Sequence, residues 1–273
     1  MTQIADMIAR ATAPWRAALH RRTRSAVGFL DLRMELLIAN WIAVMLLAGA
    51  VKVAAAPVGA RSPAGWAMMF LPFLLVTLAP VAGYRVAAGS FPRGLLSAQP
   101  FFRLARLGQW RQLDVAEAHR NPAFGPLGFM TSLLIGLLLN VPVRTAEYLV
   151  TIPAIAPGAP QWAHVLVHAM TLDLIVMNFF YMVCFVMALR SVPMFPRMLA
   201  FAWLMDLTLQ FAIAGQVSSA PGLPPAVGDA LASLLHGNIQ KVLISVVVWL
   251  PYLLVSERVN VTFRRRTRIS IAS

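Results

Sequence analysis

The chain has 273 residues, of which 59% are hydrophobic and 12% are charged, and its formal net charge is +13. Soluble domains carry about 25% charged and about 45–50% apolar residues. This composition therefore excludes an ordinary soluble domain and favours a membrane protein. In that setting we expect the basic residues to orient the chain in a bilayer, so lipids are the predicted partner and nucleic acid is not. A single cysteine, Cys184, excludes an internal disulfide.

Residues 1–33 are rich in arginine and lack the apolar core of a cleavable signal peptide. Apolar residues recur there at helical spacing, from Ile4 to Leu19, interleaved with Arg10 and Arg16. The pattern predicts either a short helix lying on the membrane surface or a solvated basic tail.

Six apolar stretches are long enough to cross a membrane. A hydrocarbon core about 30 Å thick needs around 20 apolar residues in a helix. The stretches are 35–56, 65–88, 127–152, 163–189, 195–216 and 237–257. We therefore predict an all-α, six-span membrane bundle. Its parts are a basic N-terminal segment (1–33), a transmembrane hairpin (34–88), a cytoplasmic loop (89–126), a four-helix unit (127–264) and a basic tail (265–273).

The basic residues are distributed unequally between the two sides of these spans. With the N-terminus placed inside, six arginines precede the first span, and six lie at or beyond the inner end of the second, counting Arg85 in its last turn. Two lie at the inner ends of the fourth and fifth spans, counting Arg197 in the first turn of the fifth, and five follow the sixth. The outer loops hold only Arg61, and Lys52, Arg144 and Lys241 fall within spans. Because Lys and Arg are retained on the cytoplasmic side, both termini are predicted to be cytoplasmic.

The inner loop 89–126 is the largest polar connection. Its stretch FFRLARLGQWRQLDVAEAHR, residues 101–120, favours a helix, although its apolar residues step by three and drift around such a helix. We expect an interfacial helix with Arg103, Arg106 and Arg111 near lipid phosphates, and a docking site for a cytoplasmic partner is the alternative. The outer loop 217–236 is rich in Pro, Gly and Ser, with a short helix over 230–236.

Ionisable residues inside the spans define the candidate site. Asp173 and Asp206 each lie about ten residues into a span, so helical rise places them near the bilayer midplane. Arg144 and Glu147 are three apart on the third span and are predicted to pair. The outer half of the spans also collects further basic groups: Lys52, His164, His168 and Lys241.

Two interpretations of these residues stay open. In the first, they form interhelical hydrogen bonds that hold the bundle together. In the second, Lys52, Arg144 and Lys241 receive an anion in a cavity open to the outside, and Asp173 and Asp206 bind or relay protons. No phosphate-binding loop, metal signature or nucleophile elbow occurs in the chain, and His164 and His168 lack a third ligand other than Asp173. No enzymatic activity, metal or cofactor is predicted.

The tail sequence carries a resemblance to a known family. WLPY at 249–252 and SERVNVTF at 256–263, with MALRSVPMFPRMLAF at 187–201 and GPLGF at 125–129, resemble a bacterial membrane family called domain of unknown function 2569. The resemblance covers residues 125–264 and implies a four-helix unit without an established activity. It draws attention to six residues of the tail: Trp249, Pro251, Tyr252, Ser256, Arg258 and Thr262.

Together these patterns predict a multi-pass protein of a bacterial inner membrane. The predicted function is that of a small transporter-like or lipid- or anion-binding protein with an intramembrane polar site. The alternative is a non-catalytic accessory or scaffold protein that binds another membrane protein.

Overall fold

The computed structural model describes residues 2–60, 62–93, 98–100 and 108–269, with side chains from residue 21 onward. Arg61, Arg103, Arg106, residues 270–273 and the side chains of Arg10 and Arg16 lie outside the described part. The elements are α1 (Thr2–Ala54), α2 (Pro63–Ser90), β1 (Trp110–Gln112), α3 (Val115–Arg120), α4 (Phe129–Thr151), α5 (Gln161–Leu189), α6 (Phe195–Ser218), α7 (Pro225–Val255), α8 (Glu257–Arg264) and β2 (Arg266–Arg268).

Six of these helices are long and apolar enough to cross a membrane, namely α1, α2, α4, α5, α6 and α7. This confirms the predicted all-α bundle with six candidate spans. Two boundaries differ from the prediction. The N-terminal segment is not a separate surface helix or a tail but continues as α1 directly into the first span. The last span begins at Pro225, so the predicted short helix at 230–236 is part of α7.

Helix α5 is the centre of the bundle and packs against α2, α4 and α6. The α2–α5 contact is close because Gly83 has no side chain: a Cβ there would lie 2.5 Å from the carbonyl oxygen of Phe179. Pro80 interrupts the hydrogen bonding of α2, and the indole N–H of Trp41 on α1 donates to the nearby carbonyl of Thr77 at 2.9 Å. The Trp41 contact thus ties α1 to α2 one residue beyond Val76, the residue whose carbonyl loses its helical donor at Pro80.

Two segments far apart in the chain form a polar cap at one end of the bundle, which we define as residues 108–126 and 256–269. Strands β1 and β2 pair antiparallel within it, with Trp110 opposite Arg268. Leu113, Ala118 and Val261 form its small apolar core.

Within the described part of the stretch 101–120, only Val115–Arg120 form a helix, and residues 110–112 form β1 instead. Gly108 adopts a φ of +94°, which is not a helical conformation, and the backbone of β1 is extended and pairs with β2. Helix α3 starts only at Val115, after the N-cap residue Asp114, whose carboxylate accepts the N–H of Glu117 at 2.6 Å. Residues 101–107 lie outside the described part.

The described part of the basic tail, residues 265–269, packs into the cap. Arg266 is only 5% exposed; its Nε donates to Asn260 Oδ1 at 2.7 Å, and its guanidinium lies over the Trp110 ring at 5.0 Å. Strand pairing with β1 draws this arginine into the cap.

Further contacts bring the arginine-bearing connections to the end of the bundle that carries the cap. The N–H of Gly128 donates to Thr23 Oγ1 at 3.3 Å, and Arg190 donates to the carbonyl of Ala88 at 2.7 Å. The segments predicted to be cytoplasmic are therefore neighbours in the fold. That this end faces the cytoplasm stays a prediction.

Candidate functional site

A single guanidinium joins three helices in the middle of the bundle. Arg144 on α4 reaches Asp173 Oδ2 on α5 at 2.9 Å through Nη2, and Asp206 Oδ2 on α6 at 2.5 Å through Nη1. The side chains of Arg144, Asp173 and Asp206 are 11%, 4% and 0% exposed. We call these three residues the Arg144 cluster.

Neutral polar groups complete the hydrogen bonding of the two carboxylates. The hydroxyl of Tyr181 donates to Asp206 Oδ2 at 2.8 Å. The amide of Gln210 donates to Asp173 Oδ1 at 3.2 Å and to Asp206 Oδ1 at 3.3 Å, and Asn238 on α7 donates to Gln210 Oε1 at 3.3 Å. The network therefore links α4, α5, α6 and α7 through groups that are held in place from several sides.

The charges of the cluster do not balance. Two carboxylates face one guanidinium, so with all three groups ionised the cluster carries one excess negative charge. A charge in the hydrocarbon region costs at least about 2.5–3.5 kcal/mol unless it is paired or hydrated. The cluster therefore favours the uptake of one positive charge, such as a proton or a small cation.

Arg144 and Glu147, which were predicted to pair with each other, have different partners. Arg144 points to the two aspartates, whereas Glu147 accepts from Lys241 Nζ on α7 at 2.5 Å. Their spacing of three residues on α4 predicted a pair within that helix, but each side chain forms an ion pair with a residue on another helix. The Lys241–Glu147 pair connects α4 to α7 beside the cluster.

Two clefts run along the seam between α4 and α7 and meet at this level. The Trp249 cleft, of about 150 Å³, is lined on α4 by residues before Arg144 and on α7 by residues from Asn238 to Trp249. The Ser233 cleft, of about 490 Å³, is lined on α4 by residues from Arg144 to Thr151 and on α7 by residues from Ser233 to Lys241.

The same three side chains, Arg144, Asn238 and Lys241, line both clefts and form the constriction between them. The two aspartates line different clefts: Asp206 lines the Trp249 cleft, and Asp173 lines the Ser233 cleft. Along α4 the two clefts extend from Leu133 to Thr151, about 27 Å at about 1.5 Å per residue. This length is close to the roughly 30 Å of a hydrocarbon core.

Two other candidate residues lie away from the cluster. Lys52 is on α1 and lines neither cleft. His168 lines a separate cavity with Phe73 and Tyr148, and its Nδ1 contacts the carbonyl oxygen of His164 at 2.6 Å. Lys52, Arg144 and Lys241 therefore do not converge on one anion-binding site. Lys52 lies elsewhere, and Arg144 is already paired with two carboxylates.

The family-like tail residues mainly connect the end of α7 and α8 to the start of α4. Trp249 and Tyr252 pack on the Phe129 ring, each with a centroid separation of 5.0 Å. Pro251 lies within α7, and the Ser256 N–H donates to Tyr252 O at 3.0 Å where that helix ends. The last two residues connect α8 to the segment before α4: Arg258 donates to Ala123 O at 3.2 Å, and Thr262 accepts the Gly125 N–H at 3.0 Å. Trp249 alone among these six lines a cleft of the candidate site.

Tyr181, the hydroxyl donor to Asp206, was not among the residues predicted from the sequence. The available signal was its position two helical turns beyond Asp173 on the same span. Gln210 and Asn238 were recognisable as amides within spans, but their mutual contact required the structure.

Comparison of the chain with known protein families, with curated proteins and with solved structures gives no match.

Proposed function

We propose that the chain is a small transporter-like membrane protein whose site is the Arg144 cluster. The observation that carries the proposal is the meeting of two clefts at one buried charged constriction. Transporters place their binding sites near the bilayer midplane, where access from either side is controlled. The Trp249 and Ser233 clefts approach Arg144 from opposite ends of the α4–α7 seam.

The proposed substrate or coupling ion is a proton or a small cation. A positive charge that enters the Trp249 cleft meets Asp206, and one that enters the Ser233 cleft meets Asp173. When one carboxylate is neutralised, Arg144 keeps a full ion pair with the other. The guanidinium thus couples the two carboxylates, so that neutralisation on one side strengthens the remaining pair on the other.

Movement of α7 would open or close the constriction. Helix α7 packs against α6 and α8, and near the cluster it is tied to α4 by the Lys241–Glu147 ion pair. Both side chains of this pair are partly exposed. The tie is therefore more easily broken than the buried contacts of Arg144.

An acid-step measurement on proteoliposomes tests the proposal. On a solid-supported membrane, a rapid step to lower pH should displace charge in the wild-type protein, because the cluster takes up a proton. Asp206→Asn and Asp173→Asn each remove the excess negative charge and should reduce the signal to that of protein-free liposomes.

Asp229→Asn is the matched control, since Asp229 is an exposed acid near the start of α7. It should keep the wild-type signal. A displacement that persists in folded Asp206→Asn and Asp173→Asn proteins would contradict the proposal.

The proposed location is a bacterial inner membrane, with both termini in the cytoplasm. The unequal distribution of arginines supports this orientation, and the resemblance to the bacterial membrane family stays a prediction beside it.

A second candidate is an accessory protein that binds another membrane protein through α7. Leu243, Ile244, Val247 and Val248 give that helix an exposed apolar face. Ile244→Trp and Val247→Trp would enlarge this face while keeping it apolar. If they abolish complementation of a deletion strain and both aspartate variants complement fully, the accessory role replaces the transport role.

A further inference from the structure

A second polar cavity lies at the capped end of the bundle, away from the Arg144 cluster. It has a volume of about 80 Å³ and is lined by residues of α6, α7, α8 and β2, together with Pro193 and residues 99–100. At about 30 Å³ for each water, it holds two or three water molecules, and hence a group the size of a phosphate. Its walls combine apolar side chains, including Leu250 and Leu254, with the guanidinium groups of Arg197, Arg264 and Arg266.

The arginines of this cavity bring an excess of positive charge. Among the described residues, neither Arg197 nor Arg264 has a carboxylate oxygen within 4.0 Å. Arg264 donates instead to Leu253 O at 2.7 Å and to Asn260 Oδ1 at 3.0 Å. Burial, together with the charges of Arg266 and Arg197, lowers the pKa of Arg264 to about 10. An anion in the cavity would relieve this repulsion.

Gln99 provides an independent sign of a missing ligand. Its side-chain Nε2 is buried and has no hydrogen-bond partner among the residues that the structure describes, and the residue lines the same cavity as the three arginines. A buried N–H donor without a partner is costly and uncommon. An acceptor oxygen in the cavity would satisfy this donor and contact the guanidinium groups at the same time.

The position of the cavity in the fold indicates what supplies that oxygen. Helix α6 begins at Phe195 and α7 ends at Val255, so the cavity lies where two candidate spans end. This is the level of the lipid headgroups for a helix that crosses a bilayer. Leu250, which lines the cavity, is 36% exposed and offers an apolar surface leading toward the bilayer core.

We propose that this cavity binds the phosphate group of an anionic phospholipid. The phosphate oxygens accept from Arg197, Arg264 and Gln99, and an acyl chain follows the exposed surface of α7 beside Leu250. A phospholipid whose headgroup carries its own positive charge would bind less tightly, because that charge repels the arginines.

Lipid binding to the purified full-length protein tests this site. Native mass spectrometry from an uncharged detergent would measure the affinity for phosphatidylglycerol, with phosphatidylcholine as the neutral comparison. Arg197→Gln should weaken phosphatidylglycerol binding about tenfold, the loss of one charge-assisted hydrogen bond. Gln99→Glu should weaken it further, since it replaces a donor with a negative charge.

Arg24→Gln is the matched control, because it removes the same charge from an exposed position outside the cavity. It should leave the affinity unchanged. Arg264 is a second position to test, but its contacts to Leu253 and Asn260 also stabilise the fold. The Arg197→Gln variant is therefore the decisive one.

Three outcomes would overturn the proposal. One is an equal loss of affinity in Arg24→Gln and Arg197→Gln, which would indicate general surface charge. Another is equal binding of phosphatidylcholine and phosphatidylglycerol. The third is displacement of the lipid by inorganic phosphate at comparable concentration, which would indicate a site for a free anion.

Discussion

Replacement of Arg144 by glutamine is expected to lower the free energy of unfolding by about 3–5 kcal/mol, the cost of breaking a buried ion pair from one side. The variant leaves Asp173 and Asp206 buried without a counter-charge. Equilibrium unfolding in mixed micelles would measure the difference. Arg24→Gln, at an exposed position, should stay within about 0.5 kcal/mol of the wild type.

Neutralising the whole cluster provides the internal check on that result. The triple variant Arg144→Gln, Asp173→Asn, Asp206→Asn removes all three charges and keeps groups that can hydrogen-bond. It should recover most of the stability lost in Arg144→Gln, because replacing a complete buried ionic group is far less costly than removing one member. A triple variant as unstable as the single one would show that the loss arises from packing instead of charge.

The losses of unfolding free energy caused by Asp173→Asn and Asp206→Asn are expected to be strongly non-additive. Either Asp173→Asn or Asp206→Asn leaves Arg144 with one carboxylate and makes the cluster neutral, so each should cost about 1 kcal/mol. The double variant leaves Arg144 buried with no negative partner and should cost about 3–5 kcal/mol.

A double-mutant cycle by the same unfolding measurement gives the interaction energy. We expect it to exceed about 1 kcal/mol, since the residues share one guanidinium. If the cost of the double variant equals the sum of the single ones, Arg144 does not depend on the two acids jointly.

The span helices were predictable because hydropathy acts locally. Span four was predicted at 163–189 and is Gln161–Leu189, and span five at 195–216 is Phe195–Ser218. The start of α7 was missed because Pro224 and Pro225, which suggested a loop, instead precede and begin the helix. Strands β1 and β2 were also missed, because each has three residues and its partner lies more than 150 positions away.

For the candidate site, the position of each charged residue along its helix was predictable from the sequence, but its ion-pair and hydrogen-bond partners were not. Counting residues along each span placed Asp173 and Asp206 near the middle, and the structure buries both on Arg144. The rotation of each helix decides which side chains meet, and a single sequence does not reveal it. For this reason Lys52 and His168 were grouped with the cluster, although they lie elsewhere, and Tyr181 was not.

We propose that the Arg144 cluster takes up one positive charge, and protonation of its carboxylates is the most direct sign of this uptake. Infrared difference spectroscopy between neutral and acidic samples of the folded protein observes protonated carboxyl groups directly. We expect a buried carboxyl band in the wild type and in Asp229→Asn that is absent from both Asp173→Asn and Asp206→Asn. A wild-type protein without this band, or a band unchanged in both single variants, would contradict it.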